Sequence, residues 1–409
     1  MSSNDHGAVV PAARLARRHD VDALRVLAFS LLIIYHVGMF YVADWNWHVK
    51  SGYQAEGLQL PMMFVNQWRM PLIFLISGLA LSFVWGKYSP LRLARRRLWR
   101  LGLPLAFGMA VIVAPQAYLE AVSKGAIEPG FWRFMGMYLT FGDVPAEAYE
   151  GAAEITWTWN HLWYLPYLLF YTLLLLPIAI LLDGPGRKLV RGFRGLRGIW
   201  VIVIPVLPLI GLGYLVFPRF PYVSHALIDD GYAHVMYGTY FLYGFLLGRD
   251  SGIWMELARL RRVNLLLGLI LFPTFYVVAN AFDGDTERGL FPIALSVTYL
   301  NRWVWIAAIL GWGHAWLNRP MRWLPYATEA VYPWYILHQT ITVIAGYRLS
   351  KLDLGPVVEP MLLLAVTVAG CYVLHEFVIR RSVLLRPLFG LVTRNPRQLP
   401  SPGGVADRA

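Results

Sequence analysis

The sequence is poor in charge and nearly empty of cysteine. Asp, Glu, Lys and Arg make up 15% of its 409 residues, whereas a fully hydrated surface needs about 25%. The one cysteine, Cys371, excludes internal disulfides and thiolate metal clusters, and in its apolar run it reads as a small buried hydrophobe. Signatures of several chemistries are also missing. Gly86-Lys87-Tyr88 lacks the upstream glycine of a P-loop. His375-Glu376 lacks the second histidine of a zinc-protease helix, and Ser77 lacks the glycine frame of a hydrolase nucleophile elbow. No internal repeat or low-complexity block is visible. The first 20 residues are polar and basic, without a short apolar stretch ending in a cleavage site, so no signal peptide is expected. What is present is apolar: 57% of residues are hydrophobic and 15% aromatic, including 17 Trp and 23 Tyr. Trp and Tyr collect at lipid headgroup depth. A soluble enzyme, a disordered chain and a nucleic-acid-binding domain are thereby excluded, despite a formal charge of +12.

Crossing a bilayer takes about 20 apolar residues as helix. Ten segments qualify, near 24–43, 62–85, 101–118, 161–182, 199–217, 233–248, 263–281, 290–317, 326–347 and 360–379. The eighth is long enough to tilt or break. The aromatic stretch from Phe131 to Phe141 is too short to cross and reads as an interfacial helix. With a cytoplasmic N-terminus, 26 of the 36 basic residues fall in inner segments and seven in outer loops, while Arg25, Arg69 and Arg302 lie within spans. That asymmetry is the positive-inside signature. The outer 119–160 loop instead carries Glu120, Glu128, Asp143, Glu147, Glu150 and Glu154. The expected fold is therefore an all-α polytopic integral membrane protein of about ten transmembrane helices, with both termini cytoplasmic. Residues 1–393 form one membrane domain, and 394–409, rich in Pro, Gly and Arg, form a disordered cytoplasmic tail.

Ionisable side chains at apolar depth are costly, so each is a functional candidate. His36 lies in the outer half of the first span and Arg25 eleven residues earlier. At 100° per residue that is about three turns, so both share one face, about 16 Å apart along the axis. Asp22, one turn below Arg25, is placed to orient it. The pair reads either as a cation at an inner mouth beneath a working imidazole, or as a snorkelling basic residue plus a histidine bonded to a neighbouring helix. Arg69 opens the second span before Pro71, and Ser77-Gly78 permits close helix packing. His161 begins the fourth span facing the outer surface. His338 lies in the ninth, with Tyr335 and Thr342 on its face, and His375-Glu376 read as capping. The inner cluster Arg92, Arg95, Arg96, Arg97 and Arg100 suits anionic lipid or a phosphorylated cofactor.

Several segments, in order, carry a likeness: Asp22-Ala23-Leu24-Arg25 with ten residues to His36; Arg69-Met70-Pro71 through Ser77-Gly78; Arg96-Arg97-Leu98-Trp99-Arg100; His161-Leu162-Trp163-Tyr164-Leu165; Tyr240-Phe241-Leu242-Tyr243-Gly244; and Glu329-Ala330-Val331-Tyr332-Pro333-Trp334-Tyr335-Ile336-Leu337-His338-Gln339. In these the sequence resembles the bacterial acyltransferase-3 family of integral membrane O-acyltransferases, over nearly its full length. Pro166-Tyr167-Leu168-Leu169 stands where many members have Glu-Glu-Gln, and looks closer to the branch containing the periplasmic-glucan succinyltransferase.

The resemblance implies a bacterial inner-membrane enzyme with no permanent cofactor and no metal. Its donor would be cytoplasmic acyl-CoA (acetyl-CoA or succinyl-CoA), and its acceptor a hydroxyl on an extracytoplasmic carbohydrate. It assigns Arg25 and His36 to the family's essential arginine-to-histidine motif, and sets Arg97 and Arg100 on the pair suited to CoA phosphates. The expected catalytic set is His36, Arg25, Asp22, Arg69, His161 and His338; the expected donor-binding set is Arg25, Arg96, Arg97 and Arg100. Expected partners are the lipid bilayer, acyl-CoA and a carbohydrate, and not nucleic acid. A transporter or flippase for an acylated or anionic solute would bury similar charges. Secondary transporters commonly show inverted halves, which this sequence lacks.

Overall fold

The computed structural model describes residues 17–140, 157–248, 250–281 and 291–393. The tail at 394–409 and Asp143, Glu147, Glu150 and Glu154 lie outside the described residues. Without water, backbone groups must be satisfied within the chain, and a helix does this inside one segment. Helices accordingly account for nearly all regular structure, and the described residues contain no β-strand beyond two isolated bridges.

The first three long helices are α1 (His19–Gly38), α2 (Glu56–Val84) and α3 (Pro90–Ser123). The short α4 (Phe131–Leu139) follows, then α5 (Asn160–Asp183), α6 (Arg187–Arg194) and α7 (Trp200–Val216). Next come α8 (residues 231–247), α9 (Ser251–Arg259), α10 (Arg261–Ala281) and α11 (Phe291–Leu317). The chain closes with α12 (Leu324–Leu349), α13 (Gly355–Ile379) and the single turn α14 (Leu385–Leu388).

Seven of these are long and apolar enough to cross a membrane: α1, α2, α3, α5, α10, α11 and α13. The other three apolar segments expected to span are helical as well, but differ in character. The α7 helix is short, and α8 contains a π segment at His234–Gly238. In α12 the length is ample, but Glu329, His338, Gln339 and Arg348 dilute its apolarity. His338 and Gln339 are buried against other helices, so protein rather than lipid receives them, while Arg348 is exposed in the last turn. The α11 helix runs unbroken through Asn301 and Arg302.

At the centre, α1 packs on α2, α11, α12 and α13. The α10 and α13 helices are peripheral and present exposed Leu, Ile and Val outward. Cys371 is fully buried, as its surroundings predict. The aromatic stretch after α3 folds as α4, seating Phe134 and Tyr138 on Ala114, Ala117 and Ala121 of α3. Two π segments, Leu98–Gly102 and Gly108–Ile112, interrupt α3 near Pro104. Such bulges release carbonyls from the helical ladder. Val113 N reaches back to Gly108 O at 2.8 Å, and the Tyr138 hydroxyl donates to Met109 O at 2.8 Å. The Thr340 hydroxyl donates to Ile112 O at 2.6 Å.

The α2 and α8 helices touch backbone to backbone. A Cβ on Gly78 would lie 1.8 Å from the Phe241 carbonyl oxygen, and one on Gly244 would lie 1.8 Å from that of Leu75. Small residues let membrane helices approach this closely. Gly244→Val must push the helices apart, at a cost of about 1–3 kcal/mol or more. It should lower the thermal midpoint of the detergent-solubilised protein, whereas Gly211→Ala, with open space around it, should not. Equal midpoints would show that the crossing is not tight.

Candidate active site

Two polar centres lie along one stripe of α1. At its start, a cavity of about 1370 Å³ opens among α1, α2, α3, α5, α12 and α13. Arg25, Arg97 and Arg100 line it, as do Ser77, Tyr164 and Tyr332. Asp22 holds Arg25 at 3.4 Å and also accepts two bonds from Arg17, at 3.2 and 3.0 Å. The Arg25 Nε atom is buried without a hydrogen-bond partner. Arg96, expected here with its neighbours, lies elsewhere: its guanidinium stacks on the Tyr88 ring at 4.5 Å.

Five more arginines line the same cavity: Arg17, Arg322, Arg380, Arg381 and Arg386. In the sequence these look like ordinary inner-side positive charge, and only folding gathers them. Two lining glutamates oppose them. Glu376 pairs with Arg380 at 3.0 Å, and Glu329 reaches Arg380 at 3.7 Å and Arg386 at 3.4 Å. Glu376 is thus a cavity group rather than a helix cap. His375 beside it is fully buried, with both ring nitrogens unbonded. After α14 the chain turns back at Gly390, whose φ of +69° brings it against the Tyr332 ring. Eight guanidinium groups against two carboxylates make a strongly cationic chamber, and guanidinium forks match phosphate oxygens.

The second centre lies about 16 Å further along α1. His36 Nδ1 is 2.8 Å from His338 Nε2, and the two rings stack at a centroid distance of 5.0 Å. His338 Nδ1 is 2.7 Å from the Tyr335 carbonyl oxygen. A carbonyl only accepts, so this nitrogen carries the proton and His338 Nε2 accepts from His36 Nδ1–H. His36 Nε2 then carries the free lone pair. The half-buried His36 ring also lies 5.4 Å from the Trp47 ring.

His161 belongs to the same cluster, buried and turned toward α12 rather than outward. Its Nε2 donates to Ile336 O at 3.0 Å, and its ring centroid is 5.4 Å from that of His338. Arg69 is 6% exposed and lies over the Tyr35 ring at 3.5 Å, with Nε and Nη1 unpaired. It is an electrostatic neighbour of both His36 and His338. Arg302 stands apart, bonded to Gln67 at 3.3 Å and Tyr232 at 3.1 Å. The fold therefore brings His36, His338, His161 and Arg69 together at one centre, and Arg25, Asp22, Arg97 and Arg100 at or beside the other.

Sequence reasoning missed a buried polar network beyond the histidines. His48 Nδ1 bonds Glu120, which also takes Lys124 at 2.7 Å. Gln339 Nε2 faces His48 Nε2 at 3.0 Å, Gln116 Oε1 at 3.1 Å and Asn160 Oδ1 at 3.2 Å. Gln116 Nε2 donates to the Thr340 hydroxyl at 2.5 Å and lies 3.3 Å from His161 Nδ1. Asn160 and Gln339 stood next to His161 and His338 in the sequence, and that adjacency was the available signal.

The family profile described as "Acyltransferase domain" matches residues 18–376. The chain belongs to the acyltransferase-3 family. Among its relatives, Glucans biosynthesis protein C of Salmonella gallinarum (strain 287/91 / NCTC 13346) is 24% identical over 344 residues, covering 82% of this chain and 84% of the relative. The protein of the same name from Escherichia coli (strain K12) is 23% identical over 352 residues, with the same coverage. No solved structure matches the chain. Both polar centres of this acyltransferase-3 member lie within or next to the matched stretch, with Arg380, Arg381 and Arg386 just past its end.

Gln116 joins α3 to His161 and Thr340, so its loss should be felt as stability. Gln116→Leu leaves buried polar atoms unpaired, a loss of about 1–3 kcal/mol. The thermal midpoint should fall clearly below wild type, and an unchanged midpoint would show the network to be dispensable.

Proposed function

We propose that the protein moves an acyl group from cytoplasmic acyl-CoA to a hydroxyl of an extracytoplasmic glycan. The observation that carries this reading is the arginine-lined chamber and the His36–His338 pair at two depths on the Arg25–His36 stripe of α1. Such an arrangement suits a donor and an acceptor that approach from opposite sides. The basic-residue asymmetry supports ten spans with both ends cytoplasmic, in a bacterial inner membrane. The relatives are named for glucan biosynthesis, which supports a glucan as acceptor class.

In the proposed reaction the CoA phosphates rest on Arg25, Arg97, Arg100 and the arginines that follow α13. The thioester rises along α1 to His36. His36 Nε2 removes the proton from the acceptor hydroxyl as its oxygen attacks the thioester carbonyl. Imidazole suits this step because one ring nitrogen can take up a proton and give it back within a turnover. His338 is a positioning residue that holds His36 in the tautomer with Nε2 free. The unpaired Arg69 donors are available to the oxyanion. Collapse of the tetrahedral species breaks the carbon–sulfur bond, and the proton held by His36 passes to the departing thiolate.

His36→Ala, inserted at wild-type level, should lose about 10²- to 10⁴-fold in glucan-dependent CoA release. Full transfer by this variant would end the mechanism. Arg97→Ala combined with Arg100→Ala should raise the donor KM about a hundredfold or more, each phosphate contact contributing about 1.5–3 kcal/mol, with a smaller change in kcat. An unchanged KM would return that patch to its topological role. Movement of an anionic solute without CoA release would favour a transporter instead.

A further inference from the structure

Between the cationic chamber and the histidines the stripe of α1 is not open. Residues at i, i+4, i+7 and i+11 share one face of a helix, here Arg25, Phe29, Leu32 and His36. Phe29 therefore stands between the two centres, about 6 Å above Arg25 and about 10 Å below His36. It lines the chamber with Tyr164, whereas Tyr335, His36, His161 and His338 do not. The Phe29, Tyr164 and Tyr335 rings meet edge to face as a closed triangle, with centroids 6.1, 5.4 and 5.8 Å apart. Tyr335 is on the far side, its ring 6.1 Å from His338 and 6.0 Å from His161.

Two of the three rings are tethered. The Tyr335 hydroxyl donates to His161 O at 2.8 Å, and the Tyr164 hydroxyl bonds Ser77 Oγ at 2.5 Å. Phe29 has no polar atom and is held by packing alone, so it is the ring that can swing aside at least cost.

We propose that Phe29, Tyr164 and Tyr335 form an aromatic gate that sets the length of the acyl group, with Phe29 as its moving leaf. This rests on the acyl-CoA reading above. To place its carbonyl at His36, the thioester must lead its acyl chain through the triangle. One displaced phenyl ring vacates room for a short acyl group, and a long chain meets the two tethered tyrosines. An apolar pocket distinguishes substrates about tenfold or more per methylene it cannot fit.

The test measures glucan-dependent CoA release by the full chain in detergent, with succinyl-CoA and with straight-chain acyl-CoA donors from two to eight carbons. In wild type, kcat/KM should fall steeply as the chain lengthens. Phe29→Ala should raise the ratio of octanoyl to acetyl kcat/KM at least tenfold, whatever happens to the absolute rate. Phe29→Trp, which keeps an aromatic ring in case the alanine variant folds poorly, should lower the ratio. Only a defect in the gate moves a ratio between donors, because lost folding scales both alike. A ratio within twofold of wild type in both variants overturns the gate while leaving acyl transfer standing. A wild type that uses octanoyl-CoA as well as acetyl-CoA also overturns it. Absence of CoA release from every donor overturns the acyl-CoA reading and the gate with it.

Discussion

The bond between His36 and His338 is the contact around which the rest of the molecule is arranged. An imidazole nitrogen turned into the bundle has no water to meet it, and an unpaired polar group there costs several kcal/mol. His36 meets that requirement with His338, 302 residues away in sequence, at 2.8 Å. The contact is possible only when α1 and α12 lie side by side. Once they do, residues at every other depth are placed as well: Phe29 against Tyr335, and Arg25 across the cavity from Tyr332 and Glu329. The two helices form a spine joining the cationic chamber to the histidine cluster.

The surrounding helices divide between holding this spine and facing lipid. Among the seven helices long and apolar enough to span, α2 has the most enclosed apolar stretch, and it crosses α8 so closely that Gly78 and Gly244 have no room for a side chain. That tight contact sets the wall from which Arg69 and Ser77 project. The α3 helix departs from regular geometry, and the departures have uses. Its π segments release carbonyls that Tyr138 and Thr340 then capture, tying the short α4 and the central α12 to one rod. The polar network of Gln116, Gln339, Asn160 and His48 carries that tie around the histidines. Rigid support of this kind is what a site needs if one nitrogen of one imidazole is to stay free.

Much of the site was legible before folding because it obeys local geometry. The shared face of Arg25 and His36 follows from helical phase, and so does the placing of Tyr335 and Thr342 around His338. Gly78 could be read as a packing residue from its size alone. Neighbourhoods that depend on distant segments could not be read this way. Glu120 looked like one more acid in an outer loop, yet it is buried against His48. Arg380, Arg381 and Arg386 counted as inner-side charge, yet they complete the chamber. Arg96 shows the opposite case: adjacent to Arg97 in sequence, it points away because successive helix positions are 100° apart.

By itself the sequence determined the class of solvent, the helical segments, the family likeness and the residues whose charge or imidazole needed explaining. It could do so because hydropathy and helical phase are local properties, written within about 20 residues. The tertiary structure alone decided which of those residues meet. It chose His338 as the partner of His36, set His161 inward, gathered the second group of arginines and interposed Phe29, Tyr164 and Tyr335 between the two centres. Those outcomes depend on which helix faces pack together, and packing is a property of the whole bundle that no single segment carries.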